Sequence, residues 1–266
     1  MASYKEWINL TDIDYYTAYL KSWIAFNSWY KIRPEYESFI QDRQIIDEIK
    51  DKSDSLIKKH IINFLNGNDF ESNSFKQDIG NLHMSLGQAA IYINNRNRPV
   101  EPINFEKIAT LNQTKSSNET IKGIQYIFDR IKNGQIKSEI KTTSNPPIRL
   151  FYLEQDEYNE LALETSSAFM SLPDDQQQSC SAIYKNINPY TYYSIIAKNR
   201  TEKSKKFKLG NVEFINDTEK ISIAVIEILF MLRNALVHGN VEPNSDNIKV
   251  YKFAYSLLYA VLQKLR

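Results

Sequence analysis

The chain has 266 residues, with 33 basic and 32 acidic side chains and a single cysteine. One cysteine excludes an intrachain disulfide framework, and the composition suits a reducing compartment. The formal charge of +1 removes a bulk attraction to nucleic acid, so any such binding needs a local basic patch. The hydrophobic content of 42% supplies a substantial core and argues against disorder on the scale of the chain.

Membrane and secretory classes are also disfavoured. The first residues lack the charged start and apolar run of a secretory signal, and no uncharged apolar stretch approaches the roughly 20 residues of a membrane helix. We therefore expect a soluble cytoplasmic protein with no membrane partner. Only seven glycines are present, which favours many helices and few tight turns. The expected fold class is all-α.

The predicted elements follow from apolar periodicity. A helix is predicted over 12–32, where aromatic residues recur at spacings of three and four. Other helices are predicted over 36–50, 54–67, 75–93, 118–133, 158–170, 174–186 and 190–198. A polar, proline-containing loop over 142–147 is the expected seam between sub-structures, and 207–215 is the best hairpin candidate. Two helices, over 217–238 and 248–265, close the chain as an expected antiparallel pair.

The helix over 217–238 carries three polar residues near the end of an apolar stripe: Arg233, Asn234 and His238. At 100° per residue, Asn234 and His238 lie about 40° apart on the helix, whereas Arg233 lies roughly 140° from His238. One helix therefore does not direct Arg233 and His238 at the same point. Two copies packed around a two-fold axis bring both residue types into one shared cleft, which predicts a homodimer.

These residue types suit a specific chemistry. An imidazole that titrates near neutrality transfers protons, and a permanently charged guanidinium holds an anionic oxygen. The pair fits cleavage of a phosphodiester with the RNA 2′-hydroxyl as nucleophile. A purely structural interpretation stays open, because an Arg offsets the helix dipole, an Asn caps a helix, and a His before Gly239 is a common helix ending.

Two strings resemble a known family. The residues LRNALVHG, at 232–239, resemble the Arg-Asn-x-x-x-His signature of the HEPN superfamily (higher eukaryotes and prokaryotes nucleotide-binding domains). The residues WIAFNSWY, at 23–30, look like the first helix of its Apea-like branch. The resemblance implies one HEPN-like domain over 1–266, with bundle helices from about 11–67 and 217–266. It implies a large, mainly helical insertion over about 70–216 with at most a small β-hairpin.

The same resemblance implies an activity. Many HEPN proteins are dimeric, metal-independent endoribonucleases in toxin–antitoxin or phage-defence systems. By that likeness His238 is the general acid or base, Arg233 stabilises the phosphorane-like transition state, and Asn234 orients the pair. The expected products carry 2′,3′-cyclic phosphate and 5′-hydroxyl ends. The implied partners are RNA, including single-stranded or tRNA-like loops, and an antitoxin or defence-system protein. The alternative is a non-catalytic HEPN-like module that binds RNA, a nucleotide or a protein.

Additional RNA-binding residues are expected in a basic run with nearby aromatic side chains, which could follow phosphates and stack on bases. Its candidates are Lys198, Arg200, Lys203, Lys205, Lys206 and Lys208. A solvated loop is the plainer interpretation of this run. Asn27 is a further candidate, because an amide on an aromatic stripe needs a partner. The three histidines are scattered and Cys180 stands alone, so no metal and no cofactor are expected.

Overall fold

The structure is a computed structural model that describes residues 13–89, 91–93, 101–131, 134–197 and 206–266. The chain divides into two compact units. The first combines Met1–Ile108 with Tyr193–Arg266, and the second is Ala109–Tyr192. Each unit has its own hydrophobic core.

Helices make up most of the first unit and a smaller part of the second. In chain order they are α1 (Tyr15–Lys31), α2 (Asp42–Asp51), α3 (Leu56–Asn66), α4 (Phe70–Gln88), α5 (Glu160–Glu164), α6 (Ser167–Met170), α7 (Asp174–Tyr184), α8 (Thr218–Val237) and α9 (Ser245–Gln263). Short 3-10 helices cover Pro34–Tyr36 and Lys185–Ile187. Asp14 and Asp217 cap α1 and α8 by accepting backbone N–H groups, which satisfies donors that a helix start leaves unpaired.

Strands occur in both units. In chain order they are β1 (Tyr92–Ile93), β2 (Glu101–Pro102), β3 (Ile108–Leu111), β4 (Ser116–Ile121), β5 (Ile124–Arg130), β6 (Ile136–Thr142), β7 (Arg149–Gln155), β8 (Tyr190–Tyr193), β9 (Lys206–Leu209) and β10 (Val212–Ile215). The strands β4, β5, β6 and β7 form one antiparallel sheet, and the others pair as β1 with β2, β3 with β8, and β9 with β10.

The all-α prediction is wrong, because the structure is 53% helix and 20% strand and belongs to the mixed α/β class. The error lies mainly in the middle of the chain. The helix predicted over 118–133 is the β4–β5 hairpin, in which Ile121 pairs with Ile124 across a two-residue turn. Both turn residues, Lys122 and Gly123, have positive φ, as this tight hairpin turn requires. The insertion is therefore not mainly helical.

The second unit is built around that sheet. Alternating residues of β5 and β6 point into its core, including Tyr126, Phe128 and Ile140, and they pack with Cys180 and Tyr184 of α7. This period of two is the signature of a sheet with one buried face. The helix predicted over 190–198 is also wrong, since β8 occupies its first half.

The hairpin predicted over 207–215 is confirmed as β9 and β10, with Leu209 paired to Val212 around Gly210. Gly210 adopts a positive φ of 58°, which suits glycine. Helix α4 approaches this hairpin closely, because a Cβ at Gly80 would lie 2.3 Å from the carbonyl oxygen of Leu209. The hairpin leads directly into the N-terminus of α8.

Helix α8 is the buried centre of the first unit. Its neighbours include α1, α2, α3 and α9. The Tyr19 hydroxyl on α1 donates to the carbonyl oxygen of Leu229, and the Tyr251 hydroxyl on α9 donates to that of Leu232 at 2.8 Å. Helix α9 makes its main contacts with α1 and α4 rather than with α8, unlike the expected antiparallel pair. No helix of the described ranges is both long and apolar enough to cross a membrane.

Helices α2 and α8 are joined by four charged residues, which we call the buried charge cluster: Arg43, Asp47, Lys50 and Glu227. Glu227 forms ion pairs with Arg43 Nη1 at 2.7 Å and with Lys50 Nζ at 2.6 Å. Asp47 forms ion pairs with the same two side chains, each at 2.8 Å. Burial alone would raise the pKa of Glu227, but the two cations hold it below its usual value. The cluster fixes α2 against α8.

Candidate functional site

The C-terminal end of α8 has a defined geometry. The Asn240 N–H donates to the carbonyl oxygen of Ala235 at 2.9 Å, and the Gly239 N–H donates to that of Leu236 at 3.2 Å. With Gly239 at a φ of 71°, this is a Schellman ending. It makes His238 the C-cap residue and leaves its side chain exposed. Within the described part of the chain, no hydrogen bond or ion pair holds the imidazole.

Arg233 lies one turn earlier and is held from two sides. Its Nη1 donates to Asn234 Oδ1 at 2.9 Å, and its Nη2 donates to Asp42 Oδ2 at 3.1 Å. The guanidinium also lies 6.0 Å from the centre of the Trp23 ring, within the range of a cation–π contact. Only 23% of the Arg233 side chain is exposed, so the guanidinium is restrained but still reaches solvent.

Asn27 belongs to the same group. Its Nδ2 donates to Asp42 Oδ2 at 3.4 Å, so the amide and the guanidinium share one carboxylate oxygen. Burial, and then the neighbouring Asp42 carboxylate, raise the pKa of Tyr30 on the next turn of α1. We call Asn27, Asp42, Arg233 and Asn234 the Arg233 cluster. Three helices, α1, α2 and α8, contribute to it.

The structure brings Arg233 and Asn234 together but does not bring His238 into the same contact. Five residues along a helix correspond to a rise of roughly 7.5 Å and a rotation of about 140°. One hydrogen bond of Arg233 stays on α8, to Asn234, and the other leads to Asp42 on α2, whereas His238 lies at the open end of α8. Within one chain the two side chains therefore do not converge on a single phosphate.

The basic run divides into two parts. Lys198, Arg200, Lys203 and Lys205 lie outside the described residues. Lys206 and Lys208 lie on β9, and Lys206 Nζ is paired with Glu213 at 2.7 Å. Strand β9 pairs with β10, which ends just before the Asp217 cap. From Asp217 to Arg233 the helix rises roughly 24 Å, so Lys206 and Lys208 do not join the Arg233 cluster.

Asp42 was not predicted as a site residue, and it lies 191 residues before its partner Arg233. One signal pointed towards it, since an amide at Asn27 on an aromatic helix face requires a polar partner. Nothing in the sequence specified which residue would supply that partner. The carboxylate arrives there because the buried charge cluster fixes the register of α2 on α8.

The arrangement suits binding of an anionic oxygen by a restrained guanidinium, and the imidazole of His238 lies at the same helix end without converging with it. Among the residues that the structure describes, no group of three or more His, Cys, Asp or Glu side chains is placed to hold a metal ion. Comparison of the chain with family models, curated proteins and solved structures finds no match.

Proposed function

We propose that the chain is a metal-independent endoribonuclease of HEPN type, acting as a toxin or phage-defence effector. The observation that supports this most directly is the restrained Arg233, with Asn234 on one side and the exposed His238 five residues farther along α8. An anchored guanidinium stabilises charge that develops on a phosphorane without reorganising during the reaction. Exposed imidazole at the same helix end supplies proton transfer.

The proposed reaction uses the RNA itself as nucleophile. A base removes the 2′-hydroxyl proton, the 2′-oxygen bonds to phosphorus, and the bond from phosphorus to the 5′-oxygen breaks. A proton passes to the leaving 5′-oxygen. His238 carries out one of these transfers and Arg233 stabilises the negative charge on the non-bridging oxygens. The products carry 2′,3′-cyclic phosphate and 5′-hydroxyl ends.

The proposal requires a homodimer, because Arg233 and His238 do not meet within a single chain. Exposed apolar side chains flank the Arg233 cluster, and they support a protein contact there. Ile24 is 64% exposed and precedes Asn27 by one turn, and Val237 is 54% exposed and follows Arg233 by one turn. Ile40, just before α2, is 96% exposed. Light scattering should give twice the 31.1 kDa of a single chain.

Cleavage of total RNA in excess EDTA tests the activity. Wild type should produce fragments with cyclic-phosphate ends, and His238→Ala should reduce cleavage by about 10²–10⁴-fold, the usual effect of losing a general acid or base. His60→Ala is the control, because it removes a different, partly buried histidine of the first unit. A folded His238→Ala protein with wild-type activity would contradict the proposal.

One observation favours a second candidate, a non-catalytic module that binds RNA, a nucleotide or a protein. The guanidinium of Arg233 contacts Asp42 and Asn234 without converging on His238. For such a module, Arg233→Ala should weaken binding of single-stranded RNA, and the RNA should stay intact with every variant. Lys220→Ala, at the opposite end of α8, is the control for loss of one positive charge.

A further inference from the structure

Asp42 is the only acidic side chain that the described residues place in hydrogen-bond contact with Arg233. A single oxygen, Oδ2, accepts Arg233 Nη2 at 3.1 Å and Asn27 Nδ2 at 3.4 Å. The contact is partly open, with 24% of the Asp42 side chain exposed. An acid so close to an anion-binding arginine opposes binding of a phosphate by charge repulsion. Affinity for phosphate therefore does not explain why Asp42 lies beside Arg233.

The position of Asp42 is fixed independently of Arg233. It is the first residue of α2, and the preceding Gln41 closes a capping box with Gln44. The next residue, Arg43, donates to the buried Glu227 at 2.7 Å. The carboxylate thus sits on a helix end that is anchored to α8 by contacts other than its own with Arg233.

We propose that Asp42 is a positioning residue, which holds the Arg233 guanidinium in one orientation for the phosphate of an RNA substrate. This inference rests on the proposed ribonuclease function. Asn234 and Asp42 together engage both terminal nitrogens, which fixes the plane of the fork. An arginine carries further N–H groups beyond those two, and these remain for the non-bridging oxygens. Orientation of this kind raises the rate of the chemical step rather than the affinity for RNA.

Kinetics of Asp42→Asn separate positioning from a structural role. The variant keeps the size of the side chain and removes its charge. We expect kcat to fall by about 10–100-fold, the range expected when a catalytic group is misplaced. KM should not rise, because a negative charge near the phosphate has been removed. In an Arg233→Ala background, Asp42→Asn should cause no further loss of kcat. Losses that multiply, or a raised KM with unchanged kcat, would overturn the proposal.

A second measurement does not depend on activity. In protein labelled with ¹⁵N-arginine, the side-chain signals of Arg233 are assigned by their loss in Arg233→Lys. Restrained Nη groups should give resolved signals in wild type that average in Asp42→Asn. Glu48→Gln is the control, because it neutralises the acid of a partly exposed ion pair with Lys52 at the end of α2 and leaves Arg233 untouched.

The two measurements distinguish the failure of each proposal. If wild type cleaves RNA but the Arg233 signals are unchanged in Asp42→Asn, the ribonuclease stands and the positioning role is wrong. If wild type does not cleave RNA, the proposed function fails. The spectra then still decide whether Asp42 restrains Arg233. Averaged Arg233 signals in wild type itself would also overturn the positioning role.

Discussion

Helices α2 and α8 meet at two polar groups that differ in one decisive respect. In the buried charge cluster, Lys50 and Glu227 are each 2% exposed, Arg43 lies at the edge with 26% of its side chain exposed, and both acids are paired with two cations. In the Arg233 cluster, Arg233 and Asp42 are 23% and 24% exposed, and the one acid accepts from one cation and one amide. The same pair of helices therefore carries a buried Lys50–Glu227 ion pair and a partly exposed Asp42–Arg233 ion pair.

We therefore expect different roles for the two clusters. Buried charges are tolerated only when partners satisfy them, and in the buried charge cluster Glu227 and Asp47 each pair with both Arg43 and Lys50. These contacts fix the register of α2 on α8. The Arg233 cluster inherits that register and keeps donors available to solvent. A restrained arginine that keeps donors available to solvent is suited to bind an anionic ligand, and the exposed His238 lies farther along the same helix without contacting it.

The largest effect on stability is expected at the buried charge cluster. Glu227→Ala leaves Lys50 buried with only Asp47, which Arg43 also shares, and should lower the free energy of unfolding by about 3–5 kcal/mol. Urea denaturation measures this loss. The double variant Lys50→Met with Glu227→Leu leaves Arg43 paired with Asp47 and should cost much less. An equally unstable double variant would show that the charges themselves stabilise the fold.

An intermediate effect is expected from pH. The pKa of Glu227 is lower in the folded chain than its ordinary value of 4.5, because Arg43 and Lys50 outweigh the effect of burial. Its contribution to stability is therefore complete above about pH 4.5 and is lost as the pH falls through the folded pKa. Wild type should lose stability more steeply than Glu227→Gln below pH 4.5. Parallel pH profiles for the two proteins would contradict this assignment.

The smallest effect on stability is expected at the Arg233 cluster. Arg233→Ala breaks a partly exposed ion pair, which should change the free energy of unfolding by about 1 kcal/mol or less. Under the ribonuclease proposal the same substitution lowers the cleavage rate by about 10²–10³-fold, as for other donors that stabilise transition-state charge. Thermal denaturation and RNA cleavage on one preparation measure both. A large loss of stability would place Arg233 in the structural group with Glu227.

The helices of the first unit were largely predictable, because each has an apolar face with a period near 3.6 and recognisable caps. Asp217 starts α8 and Gly239 ends it, as the sequence predicts, whereas α1 follows an Asp14 cap rather than the start predicted at residue 12. The β9–β10 hairpin was predictable for a similar reason, since Gly210 marks its turn. These signals depend on residues that are close in the chain, so the helices and the hairpin can be predicted from the sequence alone.

The sheet was missed although the sequence carries a local signal for it. Tyr126 and Phe128 alternate with less buried residues along β5, which is a period of two. The turn before them uses Lys122 where hairpins usually have Asn or Asp, so it resembled the interior of a helix. The pairing of β5 with β4 and β6 removes the ambiguity, because it buries the alternating face that an isolated helix would leave exposed.

The sequence by itself determined the ends of α8 and the presence of Arg233, Asn234 and His238 on it, because helical caps and periodicity are local. Only the tertiary structure decided that Arg233 meets Asp42, which lies 191 positions away on α2, and that the same carboxylate oxygen accepts from Asn27 on α1. It also decided that Lys206 and Lys208 lie at the opposite end of α8. Both outcomes depend on how the buried faces of separate helices pack, and no single segment encodes that packing.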